Sequence, residues 1–350
     1  MDKKIILAVA GSGKTTEIIN QLNEDSRFMI VTYTNNNYAN LRNCIIRKFG
    51  YFPTNITLIS YFSFIYSFCY KPFLSSKFKT KEINYRENPN RYEPKVDRQT
   101  GEINLKYYID KNRFIYSNRI SKLLIEVDLI EEVKSRLEKY FDYLFIDEVQ
   151  DIAGNDFNFL MEISSATVNM LFVGDFFQHT YDTSRDGSVN RNLFKSYEKY
   201  KNKFEEIGFE IDTSSLSASY RCSPDICIYI NDNLGIEIQS HKSRGSRIEF
   251  VESQTRADEL FFDTSIVKLF YGEHYRYGCF SRNWGLSKGE NDFVNVCVVL
   301  NKSTMELYEK GELINLKPQT KNKLYVACSR PHGDLYLVSH KYFDKYKKKK

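Results

Sequence analysis

Ala8-Val9-Ala10-Gly11-Ser12-Gly13-Lys14-Thr15 follows the apolar run Ile5-Ile6-Leu7 and leads into Glu17-Ile18-Ile19-Asn20-Gln21-Leu22. The order reads as strand, phosphate loop and helix. Gly11 and Gly13 permit backbone angles that turn successive N–H groups inward, and a helix starting near Lys14 aims its positive dipole end at the same point. Gly11, Ser12 and Gly13 are therefore expected to cradle a triphosphate. Lys14 is spaced to reach the β and γ phosphates, and Thr15, followed by Thr16, to offer its hydroxyl to Mg2+. The stretch departs from G-x-x-x-x-G-K-[ST] only at its first position, where Ala8 stands.

A chain of 350 residues, 42% of them hydrophobic, is long enough for two or three domains. No apolar run approaches the ~20 residues of a membrane span, and residues 5–10 are too short for a signal peptide. The expectation is a soluble, cytoplasmic protein. Seven cysteines form no C-x-x-C pair, which argues against a zinc site or a disulfide framework and for reduced, mostly buried thiols. Net charge is only +5, yet residues 71–120 hold twelve Lys or Arg against six Asp or Glu, a surplus of 12 − 6 = +6. The same segment carries Phe73, Phe78, Tyr85, Tyr92, Tyr107, Tyr108, Phe114 and Tyr116. Cations interleaved with flat rings suit a nucleic-acid strand, and a solvated basic insertion reads equally well.

Phe28 to Tyr33 and Ile56 to Ile59 read as further strands, the first followed by a helical pattern through Leu41, Cys44, Ile45 and Phe49. Strands alternating with helices imply a parallel sheet covered on both faces. The basic stretch breaks the alternation as an inserted subdomain would. Helical periodicity then resumes at Ile120 and runs to Tyr140. Next, Tyr143-Leu144-Phe145-Ile146 empties into Asp147-Glu148-Val149-Gln150-Asp151. Asp147 at such a strand end is suited to hold the Mg2+ shell, and Glu148 to polarise an attacking water. Met170 to Val173 ends in Gly174-Asp175-Phe176-Phe177-Gln178, where the Gln178 amide can sense a γ-phosphate without titrating.

Taken together these segments resemble the superfamily 1 helicases of the UvrD, Rep and PcrA type. The matching motifs are A-G-S-G-K-T (10–15), T-x-T-N (32–35), D-E-x-Q-D (147–151), G-D-x-x-Q-x-x-Y (174–181), Y-R (220–221), S-K-G (287–289) and Y-V-A-x-[ST]-R (325–330). The resemblance implies ATP and Mg2+ as cofactors, with Arg221 and Arg330 reaching the γ-phosphate and Tyr220 stacking on adenine. It places Gly289 and Glu290 near the nucleotide. Nucleic-acid contacts fall on Tyr33, Thr34, Asn35, Ser60, Phe62, Tyr181 and Lys288. Departures are equally plain. Phe62 stands where the family has histidine, and Thr183 where it has a base-stacking aromatic. Four residues precede the first strand, so a compact form without the upstream glutamine motif is expected. Only residues 222–286 separate Arg221 from Ser287, too few for the large second-domain insertion. Pro331 is expected to end the last helix early, and Lys345 to Lys350 to form a frayed, solvated tail.

The expected fold is α/β: two RecA-like parallel-sheet P-loop NTPase domains, with ATP between them and a small basic insertion in the first. Residues 1–64 and 141–213 would form the first domain, 65–140 the insertion and 214–350 the second domain. The expected function is an ATP-dependent nucleic-acid motor, a helicase or translocase on single-stranded DNA. The alternative is an ATP-gated regulatory subunit that partners a nuclease in a DNA repair or antiviral defence complex and separates no strands.

Overall fold

The computed structural model describes residues 2–86, 89–90, 92–180, 183, 186–290 and 292–348. They form two compact units. The first takes the described residues of Met1–Ile5, Thr15–Val173 and Tyr181–Ile211, and the second those of Ile6–Lys14, Gly174–Thr180 and Asp212–Lys350.

A six-stranded sheet is built from β1 (Lys3–Leu7), β2 (Phe28–Thr32), β3 (Ile56–Ser60), β4 (Tyr143–Asp147), β5 (Asn169–Gly174) and β6 (Glu210–Asp212), in the order β3-β2-β4-β5-β1-β6. The pairs β3/β2, β2/β4 and β4/β5 are parallel. Every residue of β2, Phe-Met-Ile-Val-Thr, is buried, as a parallel strand covered on both faces requires. Helix α1 (Lys14–Gln21) buries Ile18 and Ile19. Helix α2 (Asn35–Phe49) starts at the Thr34 cap, whose hydroxyl accepts the Asn37 N–H, and stops at Gly50 with φ +82°.

The inserted region opens with a π-helix over Phe64–Ser75 that contains Pro72. A short parallel pair, Ile83–Asn84 with Ile115–Tyr116, follows. The helix expected over 120–140 is two helices, α3 (Ile120–Glu126) and α4 (Ile130–Tyr140). Asp128 adopts φ +56° between them, and Val127 and Leu129 donate back to the Leu123 and Leu124 carbonyls. Aspartate tolerates that left-handed turn, so an unbroken apolar period hides a stop. Arg119, one of the surplus cations, faces inward. Its guanidinium lies 3.5 Å from the Tyr107 ring centre and 3.2 Å from Asp186, which also pairs with Lys122 at 2.9 Å. Helices α5 (Gly154–Ile163) and α6 (Tyr197–Glu205) complete this unit's larger helices.

The second unit holds a parallel sheet of β7 (Ile248–Val251), β8 (Val267–Phe270), β9 (Ser281–Asn283), β10 (Val296–Leu300) and β11 (Leu335–Ser339), in the order β7-β11-β10-β8-β9. Helices α7 (Pro224–Leu234), α8 (Gln254–Phe262), α9 (Lys302–Glu309) and α10 (Pro318–Cys328) accompany it. Strands β10 and β11 are buried throughout. The tail expected to fray is packed instead. The Tyr346 ring stacks on Phe261 at 3.9 Å, Lys345 pairs with Asp258 at 2.7 Å and Lys347 with Glu273 at 3.0 Å. Lys349 and Lys350 lie outside the described residues. All seven cysteines are unbridged and five are buried. Among the described residues no helix is long and apolar enough to cross a membrane, and no cluster of metal-ligating side chains occurs.

Candidate nucleotide site and strand surface

The phosphate loop has the backbone its glycines predict, with φ +71° at Gly11 and +94° at Gly13. A Cβ on Gly11 would come within 2.7 Å of the Arg221 Cβ and 2.8 Å of the Ser219 hydroxyl. Glycine at 11 is thus demanded twice, by dihedral and by close approach. The Gly11 carbonyl accepts the Tyr220 N–H at 2.9 Å, and Ser12 donates to the Val9 carbonyl at 2.9 Å. Ala8, in place of the first glycine, is buried and donates its N–H to the Gly174 carbonyl at 2.7 Å. Lys14 opens α1 with Thr15 and Thr16, and the Thr15 hydroxyl accepts from the Asn40 amide at 3.5 Å.

Asp147 ends β4 and is buried, its Oδ2 accepting from the Thr32 hydroxyl at 3.2 Å and the Asn37 amide at 3.4 Å. Glu148 follows with φ +57° and ψ +43°, a left-handed backbone rare for a residue with a side chain. Asn37 donates to its Oε1 at 3.4 Å and the Gln150 amide to its Oε2. The strain and these two amides aim the carboxylate. Gln150 lies inside the D-E-x-Q-D motif, whereas Asn37 carries no sequence signal beyond its place one turn into a capped helix. The hard oxygens of Thr15 and Asp147, both in the first unit, are the donor type Mg2+ takes.

In the second unit, Gln178 is buried in a short 3₁₀ turn over Phe176–Gln178, capped by Asp175. The Gln178 carbonyl accepts the Lys288 ammonium at 3.2 Å. Arg221 donates to the Ser329 carbonyl at 3.2 Å. Arg330 donates to the carbonyls of Val326 at 3.0 Å and of Ser287 and Glu290 at 3.4 Å. Both guanidinium groups are buried, which fixes their direction through backbone acceptors of their own unit. Helix α10 ends at Cys328, just ahead of Pro331, as expected. Gly289 has φ +82°, and the Glu290 carboxylate pairs with Arg282 at 2.9 Å. Tyr220 is 62% exposed and stacks on His241, ring centres 4.0 Å apart and 15° from parallel. His241 lies twenty-one residues from Tyr220, a separation no motif bridges.

Three rings gather on the first unit. Phe62 lies 6.1 Å from Tyr33 and meets Tyr85 edge-on at 5.2 Å. Tyr85, from the insertion, is 59% exposed, with Lys81 and Arg86 exposed beside it in sequence. Thr34 caps α2, Asn35 is its exposed first residue, and Ser60 caps the turn to Ser63 at 3.2 Å. Tyr181 lies outside the described residues. Thr183, where a base-stacking aromatic was expected, is buried: its hydroxyl accepts the Ala153 N–H at 3.0 Å and its N–H donates to the Asp151 carbonyl at 3.2 Å. It buttresses the chain behind Glu148.

The family profile for the viral superfamily 1 RNA helicase core domain matches residues 114–339. The ATP-dependent DNA helicase PcrA of Leuconostoc citreum is 22% identical over 163 residues, which cover 45% of this chain and 21% of that protein. The arterivirus nonstructural protein 10 (helicase), solved in complex with DNA, superposes with a TM-score of 0.50 at 14% identity, covering 96% of this chain and 60% of that one. The same arterivirus helicase in another crystal structure gives 0.50 at 13% identity, over 97% and 62%. The chain thus spans about a fifth of the length of its curated relative. At these identities the structural likeness carries the fold alone, two RecA-like parallel-sheet domains.

Proposed function

This chain belongs to the viral superfamily 1 RNA helicase core family, and from that premise we propose that it is an ATP-dependent nucleic-acid motor, a helicase or translocase on single-stranded DNA. Mg2+ and ATP are the cofactors the residues fit. Lys14 would hold the β and γ phosphates, and Thr15 and Asp147 the metal. When bound, the metal would neutralise phosphate charge. Glu148 would take the proton of the attacking water, Gln178 would report the γ-phosphate, and Arg221 and Arg330 would stabilise charge as it moves to the leaving oxygen. Adenine would stack on the open face of Tyr220, whose other face is held by His241. The proposed domains are residues 1–64 with 141–213, the insertion 65–140, and 214–350.

The observation that carries this reading is Glu148, held in a strained left-handed backbone by two amides next to a buried Asp147. Strain of about 1–3 kcal/mol at one acidic residue is kept where its direction matters. Glu148→Gln preserves shape and removes the base. It should bind ATP as the wild type does and fail to hydrolyse it; retained turnover would assign the water to another residue. The rings at Tyr33, Phe62 and Tyr85 support a single strand as partner, since a duplex hides the base faces.

A further inference from the structure

We infer that Tyr325 is a positioning residue for ATP turnover, its phenol oxygen joining the phosphate loop to the turn that presents Gln178. The inference rests on the ATP-hydrolysis reading above. Tyr325 lies on α10, and Ala10, Asp175 and Tyr325 are all fully buried. The Ala10 N–H donates to the Tyr325 oxygen at 2.9 Å, and the Tyr325 O–H donates to Asp175 Oδ2 at 3.0 Å. Asp175 Oδ1 accepts the Phe177 N–H at 3.1 Å, and its carbonyl accepts the Gln178 N–H at 2.9 Å. The Tyr325 ring also stands edge-on to Phe177 at 6.2 Å.

One oxygen therefore serves a loop amide on one side and the cap of the Gln178 turn on the other. Burial beside the Asp175 carboxylate holds the phenol pKa well above its ordinary value, so the group remains a donor across the working pH range. The Ala10 N–H is committed to this bond, which leaves phosphate recognition to the amides beyond it. A shift of the loop would pull on the Asp175 cap through two hydrogen bonds. The same bonds tie α10 to the loop. Arg330 leaves the end of that helix with its Nε on the Val326 carbonyl, so the position of its guanidinium depends on the helix being held.

Tyr325→Phe keeps the ring and deletes the link. Steady-state ATP hydrolysis with Mg2+ and a single-stranded oligonucleotide should show kcat reduced about tenfold or more, with KM for ATP altered less than about threefold. The assay is run well below the unfolding midpoint measured for each variant, so that loss of folded protein does not enter. Asp175→Asn should lower kcat in the same sense, and the double variant should be little worse than either single one. An unchanged kcat in Tyr325→Phe, or kcat losses that multiply in the double variant, overturns the inference while leaving ATP hydrolysis intact. A wild type without ATP hydrolysis removes the parent reading and the inference with it.

Discussion

The acid cluster at Asp147 and the rings around Phe62 belong to the same unit and are assembled by opposite means. Asp147 and Glu148 are 4% and 7% exposed, each met by directional donors from Thr32, Asn37 or Gln150. Tyr33, Phe62 and Tyr85 meet only ring against ring within the group, at 5.2 and 6.1 Å, and Tyr85 is mostly in water. The proton transfer proposed for the first needs fixed geometry, whereas the base stacking proposed for the second needs flat faces and tolerance. Substitutions in the first region should consequently act on rate, and in the second on strand affinity.

The largest effects are expected from Lys14 and the two arginines. Arg221→Ala and Arg330→Ala should each lower kcat by roughly 10³-fold or more, the scale of an arginine finger, while changing nucleotide affinity far less. Stopped-flow nucleotide binding beside steady-state turnover measures both, and equal losses would mean ground-state contacts. Lys14→Ala should bring turnover to background, because the loop loses its side-chain cation; rapid hydrolysis by this variant would dissolve the site assignment.

A smaller effect probes a buried acid of the same unit. Asp156 is buried, takes a hydrogen bond from Ser121 and faces the hydroxyls of Tyr61 and Thr183, and burial pushes its carboxyl up to about 6. The folded state therefore binds this proton more tightly than the unfolded chain. Its stabilising share is full below about pH 4 and is lost as pH rises through 6, on the order of 3 kcal/mol. Asp156→Asn should flatten the fall in unfolding free energy between pH 4 and pH 7 in urea titrations. An unchanged slope would place the titration elsewhere.

Smallest, and on affinity alone, are the rings. Tyr33→Ala and Tyr85→Ala should each weaken single-strand binding by ~1 to 3 kcal/mol, with little change in salt slope and little effect on duplex. Neutralising Lys77, Lys79, Lys81 and Arg86 together should flatten the slope instead. If the slope does not move, the basic face meets an acidic protein surface, and the regulatory-subunit reading takes precedence.

What was legible in the chain follows the same division. The strand, glycine turn and helix around Gly11 to Lys14, the strand ending at Asp147 and the turn at Gln178 are local patterns in which spacing dictates backbone geometry. Asn37, His241, Tyr325 and Tyr85 acquire their roles through partners distant in sequence. Tyr325 and Ala10 lie 315 residues apart. Thr183 stands at the position of a base-stacking aromatic, yet it is a buried hydrogen-bonding residue. The break at Asp128 and the packed tail at Tyr346 leave no trace in apolar period or charge count, which register neither a left-handed turn nor a ring stacked on Phe261.

The central claim is that nucleotide turnover here serves a nucleic-acid strand. ATP hydrolysis by the wild-type chain, measured with Mg2+ alone and then with single-stranded DNA, single-stranded RNA or duplex, tests it most directly. Turnover should rise strongly with single-stranded DNA, rise little with duplex, and be absent in Lys14→Ala. Turnover indifferent to every nucleic acid would contradict it.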